Sequence, residues 1–416
     1  MEPILPNDTE LIPLLELAAD LRTECATLGA PIGQESRLAL GPLLRAINAY
    51  YTNKIEGQHT YPADLETAMA RKFSDDQEIQ RRQTLALAHM ELEAELEQEA
   101  RSAAWNTLFS PAWITGLHAR LYQRLDESSR VICDAQGTPR GIMQPGALRG
   151  PQEWVKVGAH QAPDPAHVPE LLEHLRFRYG AEHLRPTTRL VVAGATLHRL
   201  AWIHPFPDGN GRVSRLHNHV LLSQLGLTEG LWSPMRGLAR GQQAYYAALH
   251  QADLPRRNDT DGRGALSSRG LTDFIQFWLD ICLDQVRFMG ASLALDTLQS
   301  RYISLALQVL YDYGRGQSSA SRTTLEPQAL GKALYQLFRQ GRMERGSFKS
   351  MLNTSDRSAS RIVSTLTEQG LVRSASRVAR LEPGLPFFSL RFLFPGLWPE
   401  AEGIALPLAR PRPMAE

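Results

Sequence analysis

The run His204–Arg215, His-Pro-Phe-Pro-Asp-Gly-Asn-Gly-Arg-Val-Ser-Arg, constrains the local fold more than any other segment of the chain. Pro205 cannot continue a helix, so the helical apolar pattern of residues 190–202 must end there. Gly209 and Gly211 permit backbone with positive φ, so consecutive N–H groups can face one concavity. Apolar residues then resume at helical spacing. The run therefore predicts a helix, an anion-binding turn and a second helix whose positive dipole end meets the anion.

The side chains of this run suit the binding and reaction of a polyphosphate. Asp208 precedes the turn and is a hard oxygen ligand of the kind Mg²⁺ prefers. Arg212 and Arg215 lie three residues apart on one helix face and can donate to different phosphate oxygens. His204 borders the turn, and an imidazole with a pKa near ~6.5 can take a proton from an attacking hydroxyl. A capped helix with solvated charges explains any one of these residues, but not the whole set.

At every fixed position the run resembles the signature of the Fic family, His-Pro-Phe-x-Asp/Glu-Gly-Asn-Gly-Arg-x-x-Arg. The resemblance implies transfer of AMP from ATP to a Ser, Thr or Tyr hydroxyl of a target protein, which could be the chain itself. It implies that His204 is the general base and Asp208 the Mg²⁺ ligand. The residues implied to bind the phosphates are Gly209, Asn210, Gly211, Arg212 and Arg215, with Arg215 on the γ-phosphate. The Doc branch, which phosphorylates, has Lys where this chain has Gly211, and this argues against a kinase.

A second motif lies at Thr52, Glu56 and Gly57, about 150 residues upstream. Thr52 and Glu56 are four residues apart at the end of a predicted helix, so their side chains share one face. By itself the pair is more simply explained as a solvated helix end. Beside the signature it resembles the family's inhibitory motif, Ser/Thr-x-x-x-Glu-Gly/Asn, which implies that Glu56 pairs with Arg215 and keeps it from the γ-phosphate. In some members the same glutamate positions water to remove AMP, and that second activity stays open here.

A third segment, residues 146–158, has turn residues at both ends and a short β-type stretch at 154–157, which predicts a small hairpin. It resembles the Fic flap, on which an extended target segment pairs edge to edge. A packing role is the simpler reading of Trp154. The flap residues predicted to present the target are Arg149, Trp154, Val155 and Val157.

Helical periodicity dominates the chain and predicts a mainly α fold with a Fic-type helical core and one β-hairpin flap. The predicted helices are 11–28, 36–56, 61–70, 75–104, 111–124, 169–179, 186–203, 212–225, 242–254 and 271–311, the last interrupted. The predicted domains are an N-terminal helical region at 1–104 with its inhibitory helix at about 36–57, a catalytic core at 105–290, a winged helix-turn-helix domain at 298–400 and a tail at 401–416.

The C-terminal domain is predicted from two helices, 343–352 and 357–369, followed by strands at 371–375 and 387–394. Residues 341–380 carry eight Lys and Arg against three acidic residues, a balance that attracts a phosphate backbone. Such domains also dock proteins, so DNA and protein partners both stay open. The candidate DNA contacts are Ser358, Ser360 and Arg361.

Composition adds limits to these predictions. The chain has 416 residues, 43% of them hydrophobic, and a net charge of +1, so no overall field recruits nucleic acid or membrane. Three widely spaced cysteines without a metal pattern, and no long apolar run, predict a cytoplasmic protein that spans no membrane. A homodimer is compatible with the family resemblance. Two functions compete: an autoinhibited protein adenylyltransferase, and a DNA-binding transcription regulator that uses the Fic core as a nucleotide sensor.

Overall fold

A computed structural model describes residues 1–2, 4–133, 138–158, 160–315 and 325–398. The tail predicted at the C-terminus lies outside these ranges. The fold is mainly α, as the periodicity predicted, with only small antiparallel hairpins. Within the described ranges, none of the helices is both long enough and apolar enough to cross a bilayer.

The helices follow one another along the chain, and the longest connection between them, from α5 to α6, carries four short strands. In the first half they are α1 (Asp8–Gly29), α2 (Gln34–Ile55), α3 (Pro62–Met69), α4 (Gln77–Ala100), α5 (Pro111–Tyr122), α6 (Val168–Tyr179), α7 (Pro186–Ile203) and α8 (Asn210–Gln224). In the second half they are α9 (Met235–Arg240), α10 (Gln242–Asp253), α11 (Ser268–Leu293), α12 (Leu295–Arg315), α13 (Pro327–Gln340), α14 (Arg345–Met351), α15 (Asp356–Glu368) and α16 (Leu390–Leu393).

Six short strands form three separate antiparallel pairs in the described residues. They are β1 (Val131–Cys133) with β2 (Pro139–Ile142), β3 (Lys156–Val157) with β4 (His160–Gln161), and β5 (Val372–Arg373) with β6 (Glu382–Pro383). The β3–β4 hairpin begins within the predicted β-type stretch at 154–157 but extends beyond the predicted segment 146–158 to Gln161, and the amide of Ala162 donates to the carbonyl of Val155 at 3.1 Å.

The helix pair α7 and α8 lies at the centre of the molecule, and the loop between them carries the signature. Pro186 occupies the first turn of α7, where a missing N–H costs nothing. Most of both helices is buried, and each fully buried Leu or Val contributes ~1.5–3 kcal/mol. Helix α11 packs closely on α7, because Gly194 leaves room for the ring of Trp278. The loop is thus held between two rigid, buried helices.

The C-terminal part contains α13, α14 and α15 followed by the β5–β6 hairpin. Ser355 caps α15, its hydroxyl accepting from the amide of Ser358 at 3.3 Å. Met343 and Leu381 form an isolated bridge that joins the segment before α14 to the hairpin. These elements occur in the order that the winged-helix prediction requires, and the assignment itself stays a prediction, as do the domain boundaries.

The strand predicted at 387–394 is wrong. Residues Phe387–Ser389 form a 3-10 turn, and helix α16 follows directly. The run is apolar and aromatic, which favours a strand in isolation. Phe387, Leu390 and Phe394 recur at helical spacing and are all buried, so packing on the core determined the outcome.

Candidate functional site

The loop between α7 and α8 is built by a left-handed residue at each end. His204 ends α7 with φ +50°, and its amide donates to the carbonyl of Leu200 at 3.2 Å. Gly209 precedes α8 with φ +79°. A Cβ on Gly209 would overlap the hydroxyl of Tyr122, so both conformation and space require glycine there. The start of α8 is therefore open to an anion.

Asn210 stabilises this loop with its side chain. Its Oδ1 accepts from the amide of Phe206 at 2.9 Å, and its Nδ2 donates to the carbonyl of the same residue at 2.7 Å. Because both ends of the amide are used, the side chain positions the turn. Phosphate binding by the amides of residues 209–211 stays a prediction.

His204 lies partly buried beside this turn. Burial lowers its pKa to about 4, and the charges of Arg149 and His160 act in the same direction, whereas a ring hydrogen bond to Ala201 and the charge of Asp208 oppose it. The imidazole is therefore neutral at neutral pH and can accept a proton.

Asp208 is exposed at the outer side of the loop. Its Oδ1 accepts from the amide of Gly209 at 2.6 Å. Its carbonyl lies 3.2 Å from Nε2 of His118, whose Nδ1 accepts from the amide of Gly146, so Nε2 carries the proton and donates. Burial lowers the pKa of His118 to about 4. An exposed carboxylate fixed at its backbone fits the oxygen ligand that Mg²⁺ prefers.

Arg212 and Arg215 are both buried but have different partners. Arg212 donates from Nη1 to the hydroxyl of Tyr122 at 2.5 Å and from Nη2 to Oε1 of Gln58 at 2.6 Å. Arg215 donates from Nη2 to Oε1 of Glu56 at 2.5 Å. Burial alone would lower the pKa of each arginine, but nearby negative groups outweigh it and raise both. Both guanidinium groups are permanently charged.

The end of α2 supplies the partners of Arg215. Thr52 is fully buried and accepts from Nε of Arg215 at 2.8 Å through its hydroxyl and from Nη2 at 3.1 Å through its carbonyl. The side chain of Glu56 is 31% exposed, against 2% for Arg215. Burial would raise the pKa of Glu56, but Arg215 and Arg212 lower it overall. Gly57 follows with φ +70° and ends the helix. The carboxylate is thus ionised and only half-buried.

Helix α10 fixes the position of this helix end. The hydroxyl of Tyr246 donates to the carbonyl of Ile55 at 2.8 Å, and Nε2 of Gln242 donates to the same oxygen at 2.9 Å. A carbonyl at the end of a helix has no partner within the helix, so these two bonds satisfy it.

A cavity of about 530 Å³ lies beside part of this arrangement, and Asp208 and Arg212 are not among its lining residues. Glu56, His204, Gly211 and Arg215 line it, as do residues of the β3–β4 hairpin and of α10. The structure therefore brings together residues from α2, the signature loop and the flap that are up to about 160 positions apart in sequence. Sequence reasoning missed several of the lining residues, among them His160, His198, Tyr245, Tyr246 and Asp253.

These residues, like Tyr122 and Gln58, lie in no recognisable motif, so no sequence pattern indicates them. Their partners are distant in the chain: Tyr122 meets Arg212 across 90 positions. Asp253 lies 3.0 Å from Nε2 of His198 and 3.7 Å from Nδ1 of His160, which places a carboxylate beside the flap.

Of the four predicted flap residues, Trp154 and Val157 are at the surface, Val155 is partly exposed and Arg149 is buried. The side chains of Trp154 and Val157 are 58% and 53% exposed. Arg149 is buried, and its guanidinium donates to the carbonyls of Glu153, Pro163, Ile203 and His204. Arg149 therefore connects the flap to the end of α7. Target contact by these residues stays a prediction.

The predicted DNA contacts lie on α15, far along the chain from the cavity. Arg361 is exposed, Ser360 is partly exposed, and the hydroxyl of Ser358 lies 3.0 Å from that of Ser355 at the helix start. Of the cysteines, Cys25 and Cys282 are buried and free, and the side chain of Cys133 lies outside what the structure describes.

Fold and loop together define a helical protein with a glycine-containing turn at the start of a buried helix and a neutral histidine beside it. Residues 108–222 match the model of the Fic/DOC family, so this part of the chain is a Fic domain. It is 32% identical over 113 residues to "Protein adenylyltransferase Fic" of Drosophila virilis and to the protein of the same name of Drosophila melanogaster. The match covers 26% of this chain and 23% of each relative, so it spans about a quarter of their length.

Among solved structures, a Fic domain containing signaling protein from Bacteroides thetaiotaomicron VPI-5482 shares the fold. The TM-score is 0.50 at 17% sequence identity, over 66% of this chain and 95% of that chain. At this identity the likeness concerns the fold alone.

Proposed function

We propose that the chain is a protein adenylyltransferase that transfers AMP from ATP to a Ser, Thr or Tyr hydroxyl and that Glu56 keeps it inactive. The observation that carries the proposal is the 2.5 Å pair between Glu56 and Arg215 in the wall of the cavity that also contains His204. The names of the curated relatives supply the reaction class.

The residues assign a role to each step of such a transfer. Neutral His204 takes the proton of the target hydroxyl, whose oxygen forms a bond to the α-phosphorus of ATP while the bond to pyrophosphate breaks. The open amides at the start of α8, with Arg212 and Arg215, bind the phosphate oxygens. Mg²⁺ held by Asp208 would neutralise phosphate charge when bound. The products are AMP-modified protein and pyrophosphate.

Competition for Arg215 supplies the inhibition. While Glu56 and Thr52 occupy its guanidinium, the γ-phosphate has no partner at that position. Gly211 supports this arrangement, because a Cβ there would overlap Oε1 of Glu56. A larger residue at this position, such as the Lys of the phosphorylating branch, would displace the glutamate, which favours AMP transfer over phosphorylation.

Incubation with Mg²⁺ and either α-labelled or γ-labelled ATP tests the proposal. We expect Glu56→Gly to raise self-labelling from α-labelled ATP by at least about tenfold, since removing one competitor is worth ~1–3 kcal/mol. His204→Ala should abolish labelling in both backgrounds. Glu127→Gly, at an exposed loop glutamate, is the matched control and should behave as wild type.

Label transferred from γ-labelled ATP would show phosphorylation instead. Equal incorporation of α-label with and without Glu56 would be consistent with the transferase activity but would contradict inhibition by Glu56. No incorporation by Glu56→Gly, with either label and with added cell extract as a source of targets, would contradict the proposal.

A second function, regulation of transcription with the Fic core as a nucleotide sensor, is supported by the cations of the C-terminal part. Arg357 and Arg361 are exposed on α15, and Arg377 is exposed in the loop between β5 and β6. Arg361→Ala should weaken an electrophoretic DNA shift by about tenfold, since a charged contact to DNA is worth ~1–3 kcal/mol. Arg339→Ala, an exposed arginine on α13, is the control. The absence of any shift at low salt would exclude this function.

A further inference from the structure

A second polar cluster is buried where α4 packs against α8. It consists of Glu93 and Glu97 on α4 and His219 on α8, and we call it the α4–α8 cluster. One ligand atom from each residue lies within 4.8 Å of the other two. The side chains are 1%, 18% and 4% exposed, respectively. The residues assigned to phosphate and target binding do not include any of them.

The distances within the α4–α8 cluster suit metal coordination. Nε2 of His219 lies 3.0 Å from Oε1 of Glu97 and 3.6 Å from Oε1 of Glu93. Two ligands at ~2.0–2.2 Å from a tetrahedral Zn²⁺ lie about 3.4 Å apart. The two measured distances bracket this value. Glu93 and Glu97 are four residues apart, so α4 presents both carboxylates on one face.

Neighbouring side chains hold the carboxylates in these orientations. Nδ2 of Asn48 donates to Oε1 of Glu93 at 2.7 Å, and Nε2 of His89 lies 3.2 Å from its Oε2. Nη1 of Arg45 donates to Oε2 of Glu97 at 2.9 Å, on the side away from His219. Hydrogen bonds of this kind surround metal-binding carboxylates in proteins, where they fix the ligand geometry.

The ring of His219 has polar contacts only with this cluster among the described residues, since its Nδ1 has no hydrogen-bond partner there. A buried carboxylate such as Glu93 requires a compensating cation or donors.

We propose that Glu93, Glu97 and His219 bind a divalent transition-metal ion, for which Zn²⁺ is the best match to one imidazole and two carboxylates. Mg²⁺ prefers oxygen ligands alone and octahedral geometry, so it fits less well. The metal would replace a proton on His219, and a fourth position would be available to water.

The position of the site gives it a structural consequence. His219 lies one turn beyond Arg215 on α8, and Asn48 lies one turn before Thr52 on α2. A metal ion here would link α4 to α8, and the hydrogen bond from Asn48 to Glu93 would connect α2 to the same site. The proposal does not depend on the proposed function, because its test measures metal binding.

The test is titration of chelator-stripped, full-length protein with Zn²⁺ in competition with a chromogenic chelator, together with thermal unfolding. We expect one Zn²⁺ per chain and a higher Tm with Zn²⁺ but not with Mg²⁺. Glu97→Gln and His219→Gln should each weaken binding by at least tenfold. Glu95→Gln, on the same helix but in an exposed ion pair with Arg120, is the matched control and should bind as wild type.

Three results would overturn the proposal: no stoichiometric Zn²⁺ binding by wild type, undiminished binding by both Glu97→Gln and His219→Gln, or equal loss in Glu95→Gln. Each would leave the cluster as a hydrogen-bonded network without metal. Circular dichroism confirms that each variant is folded, and Glu97→Gln, at the more exposed ligand, decides the question where His219→Gln does not fold.

Discussion

Helices α2 and α8 contribute to two polar junctions that lie one turn apart but differ in exposure. In the latch junction, formed by Thr52, Glu56 and Arg215, the carboxylate is 31% exposed and borders a cavity. In the buried junction, formed by Asn48, Glu93 and His219, the carboxylate is 1% exposed.

This difference separates a contact that can open from one that must persist. A partly exposed carboxylate that loses its partner can be solvated by water, so the cost is small. A fully buried carboxylate that loses its partner is left without solvation, so the cost is large. The latch junction therefore suits regulation. The buried junction suits a structural role that holds the latch junction in place.

The largest effect that tests this contrast is on stability. Glu93→Ala should lower the free energy of unfolding by ~3–5 kcal/mol, because it leaves buried donors without a partner. Glu56→Ala should lower it by less, ~1–3 kcal/mol, because the buried Arg215 loses one partner but keeps both oxygens of Thr52. Urea unfolding monitored by circular dichroism measures both. Similar losses for the two variants would erase the distinction between the junctions.

An intermediate effect is expected from Thr52→Val, which keeps the volume of a fully buried side chain but removes the hydroxyl that accepts from Arg215. Losing one hydrogen bond is worth ~1 kcal/mol, so self-labelling should rise by about fivefold. Thr84→Val, on α4, is the control, and its labelling should match wild type. Unchanged labelling by Thr52→Val would show that Glu56 alone holds Arg215.

The smallest effect concerns pH. With the pKa of His204 at about 4, the Glu56→Gly variant should lose less than about twofold in labelling rate between pH 7.5 and 5.5. An ordinary histidine pKa of ~6.5 would give a fall of about tenfold. The pKa of Glu56 is lowered, so its carboxylate stays charged throughout this range and its pairing is lost only at more acidic pH. The ratio of variant to wild-type rate should therefore stay constant.

Much of the helical architecture could be predicted because a few neighbouring residues determine where a helix begins and ends. Pro186 marks where α7 begins, Pro205 marks where it ends, and the glycines of the loop mark where α8 begins. The structure places those boundaries within two residues of the prediction. The helices Met235–Arg240 and Pro327–Gln340 were missed. The first is short, and the second follows a polar segment that carries no helical pattern.

The candidate site also combines features that could be predicted from the sequence with features that could not. The contact between Glu56 and Arg215 was predicted through the family resemblance and is present at 2.5 Å, while its inhibitory role stays a prediction. The roles of Asn210 and Arg149 in fixing backbone could not be foreseen, because they depend on where distant carbonyls and amides fall after folding. The α4–α8 cluster was also missed: its acidic residues on α4 resemble a solvated face until α8 covers them.

Arg149 has one more consequence. Its guanidinium binds carbonyls at both bases of the flap, Glu153 and Pro163, and also the carbonyls of Ile203 and His204. A single side chain thus sets the distance between the strand that would display an acceptor hydroxyl and the imidazole that would deprotonate it. Arg149 therefore positions both the flap and His204, so a displacement of the flap would also displace the imidazole.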